Sequence, residues 1–336
     1  MLNTTKLSVL IVFICSIQVY GLQAAETSSP PQESEPQVGI SPWGADDELG
    51  RLNMITEESV AATISKIKPG KSYDLSVDFS NGMPSFFSGA EPRYGYWLVH
   101  SPHGTIVDNA LGAGAAANEL ITLTGDAVTI YTHMGTHIDA LNHFGLHGKI
   151  YNQFEASRYL GDAGWQKSGA ETIPALIARG VLIDVAAAKK VEVLPPSHRI
   201  SAEDLQEALK LQGTALQKGD IVLIRTGQMK YFSDAEKYMK NSPGLSMGAA
   251  KFLVESEAMI VGADNLTFEM FPSEVKNNPV PVHTYLLAEH GVPIIELAYL
   301  EELSKDKIYT FAFIGASIKF KGASAAPIRP IALPMK

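Results

Sequence analysis

Within eleven residues, His133-Met134-Gly135-Thr136-His137-Ile138-Asp139-Ala140-Leu141-Asn142-His143, the chain places three histidines and an aspartate, and His147 follows shortly after. Four of the nine histidines therefore fall within residues 133–147. Imidazole and carboxylate together are the ligand chemistry of a divalent transition metal such as zinc or manganese. Regular structure cannot assemble such a site from this stretch. In one continuous strand His133 and Asp139 share a face but lie about 20 Å apart, far beyond ligand bonds of about 2 Å. In one continuous helix His133 and His137 stack, while Asp139 projects from another side. The chain must bend, and Gly135 is where it bends cheaply. Residues 127–132, rich in β-branched and aromatic side chains, are predicted to form the strand that delivers His133. A lone histidine here would be read as part of a polar surface loop. The full H-x-G-x-H-x-D-x-x-x-H pattern favours His133, His137 and Asp139 as metal ligands.

The pattern H-x-G-T-H-x-D-x-x-x-H resembles the signature of the metal-dependent cyclase family, which includes bacterial kynurenine formamidase and isatin hydrolase. Family members usually carry Pro two residues after the Asp; here that position is Leu141. The departure resembles the isatin-hydrolase-like and longer members, and it bears on the substrate rather than on the metal. The segment Trp43-Gly44 through Asp47-Glu48-Leu49-Gly50 to Leu52-Asn53 is similar to an N-terminal signature of the longer members. Physically it reads as a turn-rich structural arm anchored by Trp43. The runs Arg179-Gly180-Val181-Leu182-Ile183-Asp184 and Gly219–Gly227 also resemble family segments. The resemblance implies a swivelling fold, a mixed sheet curled toward a barrel and surrounded by helices. It also implies dimers or tetramers.

Taken in order, the chain opens with Lys6 and an apolar run over residues 7–17, followed by Leu22-Gln23-Ala24. Residues 1–24 read as a cleaved export signal, too short for a membrane span. The destination is periplasmic or extracellular. Cys15, the one cysteine, lies in that leader, so the mature chain has neither disulfides nor a thiolate nucleophile. Residues 25–40, rich in Ser, Pro, Glu and Gln, read as a disordered lead-in, and order is expected from Ser41. The remainder, 41–336, is read as a single domain. A net charge of −9 without basic clusters argues against nucleic-acid or anionic-membrane partners.

Thr56 is expected to cap a helix, and residues 72–79 alternate as a strand, with another strand at 94–100. Residues 112–117 read as a small-residue loop, without a phosphate-cradling motif. A polar loop is expected over 152–169, a helix around 173–178, and a buried strand at 180–185. Ser201 should cap the next helix. A strand then ends at Arg225-Thr226-Gly227, and Arg225 is a minor site candidate. Helix 246–257 precedes a strand at 259–262, with Asp264 and Glu269 after it. A helix from His283, a glycine stop at Gly291 and a strand ending at Glu296 could bring the two ends of that segment together. The family resemblance implies that His283 and Glu296 are second-site metal ligands or line the metal pocket. The alternative is a helix-capping His and a salt-bridged Glu. Strands and helices alternate from residue 173 on while the first half is richer in strand, which makes the chain α/β with a mixed sheet.

The residue types constrain the chemistry. A divalent ion with an open position generates a nucleophilic water near neutral pH and stabilises an oxyanion. A proton must then reach the leaving nitrogen, and His143, four residues past Asp139, is the candidate acid–base. No G-x-G-x-x-G opens a helix after a strand, and no G-x-S-x-G is present, so redox-cofactor and serine-hydrolase readings lack support. The expected function is metal-dependent hydrolysis of an amide: an N-formyl aromatic amine or a cyclic amide, as in the resembled family. The alternative is a non-catalytic protein of the same fold that carries metal or a small ligand. Zinc and manganese are both compatible with N and O ligands.

Overall fold

The computed structural model describes residues 35–336, apart from 87–89, 110, 111 and 113. The expected leader and most of the lead-in lie outside the described residues. Val38 is already buried and Gly39 N–H donates to the Ala288 carbonyl at 2.9 Å. Order therefore begins before Ser41, because this short stretch adds its backbone to an existing surface. Among the described residues no helix is long and apolar enough to cross a membrane.

The strands that build the molecule are, in chain order, β1 (Tyr73–Asp74), β2 (Gly95–His100), β3 (Gly125–Thr129), β4 (His137–Asp139), β5 (Leu176–Asp184) and β6 (Ile221–Arg225). They continue with β7 (Ile260–Ala263), β8 (Ile294–Glu296), β9 (Thr310–Gly315), β10 (Ala325–Pro327) and β11 (Ile331–Pro334). All except β2 and β3 form one nine-stranded sheet in the order β1-β11-β9-β5-β6-β7-β8-β4-β10. The central strands β5 to β8 run parallel. β4 and β10 continue antiparallel on one side, and β9, β11 and β1 on the other. The sheet curls into a half-barrel with helices around it, the mixed α/β architecture expected.

The parallel centre explains the apolar runs at 181–183 and 221–224, since strands covered on both faces need no polar alternation. Of the helices α1 (Glu57–Ser65), α2 (Ala202–Gln212) and α3 (Met247–Glu255), the last two pack against one face of the sheet, on Val181, Ile183, Val222 and Ile224. Leu182, Ile221 and Leu223 join Leu75, Phe311, Phe313 and Ile328 on the other. The caps form where the sequence placed them. Thr56 and Ser201 each make a reciprocal capping box, with Ser59 and Asp204 respectively, and Ser246 caps α3.

Several expectations are corrected. Residues 173–178 are not helical, because Leu176 to Ala178 open β5 and pair with Phe313 to Gly315. Ala175, Leu176 and Ala178 have helix propensity, but the ladder overrides it. Only Tyr73 and Asp74 of the 72–79 run pair, although Tyr73, Leu75 and Val77 are buried as the alternation implied. Of the region read as a small-residue loop, Gly114–Glu119 forms a short helix. The 152–169 loop contains one short hairpin, Leu160–Gly161 with Gly164–Trp165, and its Phe154–Glu155 pairs back with Lys149–Ile150. Among the described residues, seven of the nine sheet strands lie after residue 175, so the first half is not the strand-rich one there. Trp43 does not anchor the arm, since it is 43% exposed. The buried Asn152 does so instead, donating Nδ2–H to the carbonyls of Gly44, Ala45 and Asp47 and accepting from Ser41 N–H. β2 and β3 form a separate ribbon that exposes Tyr96, Trp97, Leu98, Val99 and Val128.

Candidate metal centre

The turn before β4 does what the motif required. β3 ends at Thr129, three residues short of the expected strand end, and the chain turns through residues 132–136. Gly135 has φ +61°, and a Cβ there would lie 2.4 Å from the Phe79 ring. Left-handed backbone and close approach together demand glycine. Thr136 locks the turn from inside, donating Oγ1–H to the Leu297 carbonyl and accepting the Val77 N–H. In β4, His137 and Asp139 then share one face while Ile138 joins the core on the other. The neighbouring strand completes the face, because Glu296 of β8 stands directly opposite His137. His283 arrives from a helical turn, Pro281–His283, that continues as a π-helix over Thr284–Glu289. Gly291, at φ +61° and with the Tyr151 ring 2.6 Å from a would-be Cβ, ends the segment and sends it into β8.

These elements assemble two sets of buried ligand atoms, His133–His137–Asp139 and Asp139–His283–Glu296, the atoms of each set lying within 4.8 Å of one another. Asp139 belongs to both. His133 Nδ1 lies 2.8 Å from Asp139 Oδ1. His137 Nε2 lies 3.5 Å from Asp139 Oδ1 and 3.3 Å from Glu296 Oε2, and His283 Nε2 lies 3.3 Å from Glu296 Oε1. Among the described residues, His137 Nε2, Asp139 Oδ1 and Glu296 Oε1 are buried with no partner in hydrogen-bonding geometry, Asp139 Oδ1 despite the nearby His133 ring. Buried polar atoms are rarely left so. Ligand atoms about 3.3 Å apart are what a tetrahedral ion with bonds of about 2 Å imposes. The residues present therefore fit a divalent ion.

The outer nitrogens are held as well. His137 Nδ1–H donates to the Gly135 carbonyl at 2.9 Å, which leaves the Nε2 lone pair for the cluster. His133 Nε2 meets Ser324 Oγ at 2.8 Å, and His283 Nδ1 meets Glu269 Oε1 at 2.5 Å. Burial lowers the pKa of His137, but the facing carboxylates of Asp139 and Glu296 outweigh it and lift the imidazole to about 10. His283 behaves alike: burial opposes, Glu269 and Glu296 prevail, and the group rises to about 10. Burial also opposes ionisation of Asp139, yet the imidazoles of His143, His133 and His137 hold its carboxyl well below the usual range. The centre attracts positive charge, and protons compete with metal for it.

His143 lies beside the two sets without belonging to either. Its ring centroid is 3.9 Å from that of His133 and 6.3 Å from that of His283. Burial pushes its pKa well below the ordinary histidine value, lower than the near-neutral titration expected of it. His147 stands apart: it is exposed, and its Nε2–H donates to the Pro36 carbonyl. Above the cluster opens a cavity of about 260 Å³ with His133, His143, His283 and Glu296 among its lining residues. Phe86, Tyr131, Phe144, Leu266, Phe271 and Val280 supply its largely apolar wall.

Arg225 is elsewhere. Its Nε and Nη2 donate to the two carboxylate oxygens of Glu301 at 2.8 Å, and its Nη1 donates to the buried Asp184 at 3.0 Å. It braces the ends of β5 and β6. Arg225→Ala is expected to cost about 3–5 kcal/mol, the scale for stripping one partner from a buried ion pair. Denaturant unfolding would show the loss, and metal content would not change.

Sequence reasoning missed Glu269 as a neighbour of His283, and it missed Ser324. Both lie far from the motif in sequence. Only the pairing of β10 with β4, Ala325 opposite Asp139, places Ser324 beside His133.

Residues 73–270 match the family described as putative cyclase. A crystal structure of a novel cyclase aligns with a TM-score of 0.78 at 28% identity, covering 89% of this chain and 100% of that one. Isatin hydrolase A from Ralstonia solanacearum aligns with a TM-score of 0.60 at 19% identity, covering 79% and 92% of the two chains. An isatin hydrolase bound to the product analogue thioisatinate gives 0.60 at 18% identity, covering 84% and 100%. The likeness to the isatin hydrolases is one of fold. Comparison with curated protein sequences finds no match.

Proposed function

This chain belongs to the putative cyclase family, and on that premise we propose that it is a metal-dependent hydrolase cleaving a carbon–nitrogen bond in an N-formyl aromatic amine or a cyclic amide. The observation that carries the reading is the pair of buried ligand sets sharing Asp139 beneath an aromatic-walled cavity. His133, His137 and Asp139 would hold one zinc or manganese ion, and Asp139, His283 and Glu296 a second. Such an ion supplies a water acidified toward neutral pH and polarises the carbonyl under attack. Phe86, Phe144 and Phe271 flank the space an aromatic ring would fill and exclude water around it. His143, in contact with His133 yet outside both ligand sets, carries a proton from the attacking water to the leaving nitrogen. Ser324 and the Gly135 carbonyl keep the rings of His133 and His137 from turning.

Purified protein offered N-formylkynurenine and isatin, with products separated and weighed by mass, tests the substrate class. Release of kynurenine or ring-opened isatinate supports it. Bound metal with no turnover on a broader amide panel would favour a binding protein instead.

Residues 1–24 are proposed to be a cleaved leader, so the mature chain should begin near Ala25; an intact Met1 on protein from its native host contradicts export. The chain is also proposed to form a homodimer or homotetramer, as the family resemblance implies. A solution mass of one chain would contradict that.

A further inference from the structure

The loop between β7 and His283 is bent at a cost. Phe268 has φ +48°, an unfavourable conformation for a bulky residue. Beside it, the Glu269 N–H donates to the Thr267 carbonyl, closing a three-residue turn. Backbone strain of this kind persists where the surroundings enforce it, and it gathers at functional sites. Here the bend delivers a carboxylate that is 1% exposed. Glu269 Oε1 faces His283 Nδ1 at 2.5 Å and accepts the His283 N–H at 3.0 Å, while Oε2 accepts the Val282 N–H at 3.1 Å. The opposite nitrogen of the same ring, Nε2, faces Glu296 Oε1, which has no hydrogen-bond partner among the described residues.

We propose that Glu269 is a positioning residue that keeps the proton of His283 on Nδ1 and so aims the Nε2 lone pair into the Asp139–His283–Glu296 set. The proposal rests on the metal-centre reading above. It goes further in treating the two sets differently. The outer nitrogens of His133 and His137 meet a serine hydroxyl and a backbone carbonyl, both neutral, whereas that of His283 meets a carboxylate. Neutralising Glu269 therefore acts on the His283 set and spares the other. The competing explanation is a cap: the Val282 and His283 N–H groups belong to the first turn of a helix and need acceptors. Glu269→Gln lacks the charge that fixes the ring and keeps only one of the two oxygens that accept from the backbone, so the selectivity of ion loss, and not melting, separates the two.

The test is chelator competition on the metal-loaded full chain, comparing wild type, Glu269→Gln, His283→Ala and the double variant, with melting of the chelated proteins measured alongside. Glu269→Gln is expected to release the ion of the His283 set about 10- to 100-fold more readily, the usual loss when such an outer partner is changed. The other ion should keep its wild-type retention, even where the lost backbone acceptor lowers the melting of the chelated variant slightly. The double variant should match His283→Ala, since a residue acting through His283 adds nothing once that ring is gone. Wild-type retention of both ions in Glu269→Gln would overturn the proposal. So would a double variant weaker than His283→Ala by the single variant's own factor, or a loss of retention shared equally by both ions. A wild-type chain that holds no divalent ion would overturn the metal reading beneath it as well, and that result is seen before any variant is compared.

Discussion

His143→Ala is expected to keep its fold and its metal and to lose turnover by about 10²-fold or more, the scale for a general acid–base group. The expectation follows from placement. The ring is in contact with His133 and lines the cavity, yet both ligand sets are complete without it. The loss should fall on kcat, because proton delivery matters in the transition state and not in substrate binding. Amides with a good leaving group need little protonation and should recover part of the rate. If His143→Ala loses its metal, His143 is a ligand and another group must move the proton. If it retains both metal and full turnover, the proposed role is wrong.

Asp139→Ala should do the opposite, emptying the centre while leaving His143 in place. Asp139 is common to both ligand sets and 1% exposed, so its removal takes one ligand from each. The variant also leaves His133 Nδ1 and His137 Nε2 facing a void where a carboxylate stood at 2.8 and 3.5 Å. Metal content should fall for both positions together. Turnover should fall by at least about 10²–10³-fold, the loss seen when one electrostatic stabiliser is removed. Elemental analysis read beside the rate decides it: Asp139→Ala with wild-type metal would show that Asp139 is a charge neighbour and not a ligand. By contrast, His137→Ala touches only one set and should empty that one first.

The motif could be read because its geometry admits few solutions. A glycine bend followed by a short extended piece is what places His133, His137 and Asp139 together, and Gly135 and β4 supply both. The helix–glycine–strand reading of residues 283–296 likewise located His283 and Glu296 near each other. Ser201 and Thr56 announced their helices through cap chemistry. What escaped depended on pairing between distant segments. Ser324 and Glu269 carry no local signal, since their significance lies in β10 lying beside β4 and in the bend at Phe268. Residues 173–178 misled because propensity is local and the ladder with β9 is not. Trp43 misled because a large aromatic suggests an anchor, whereas an amide collecting three carbonyls was the actual one.

Hydrolysis is proposed to depend on divalent ions held by the His–Asp–Glu cluster. That dependence is tested most directly by following amide hydrolysis and metal per chain together while a chelator strips the full-length protein and zinc or manganese is added back. Turnover is expected to fall in step with metal content and to return with it, in wild type but not in Asp139→Ala. Full turnover by protein shown to contain no divalent ion would contradict it.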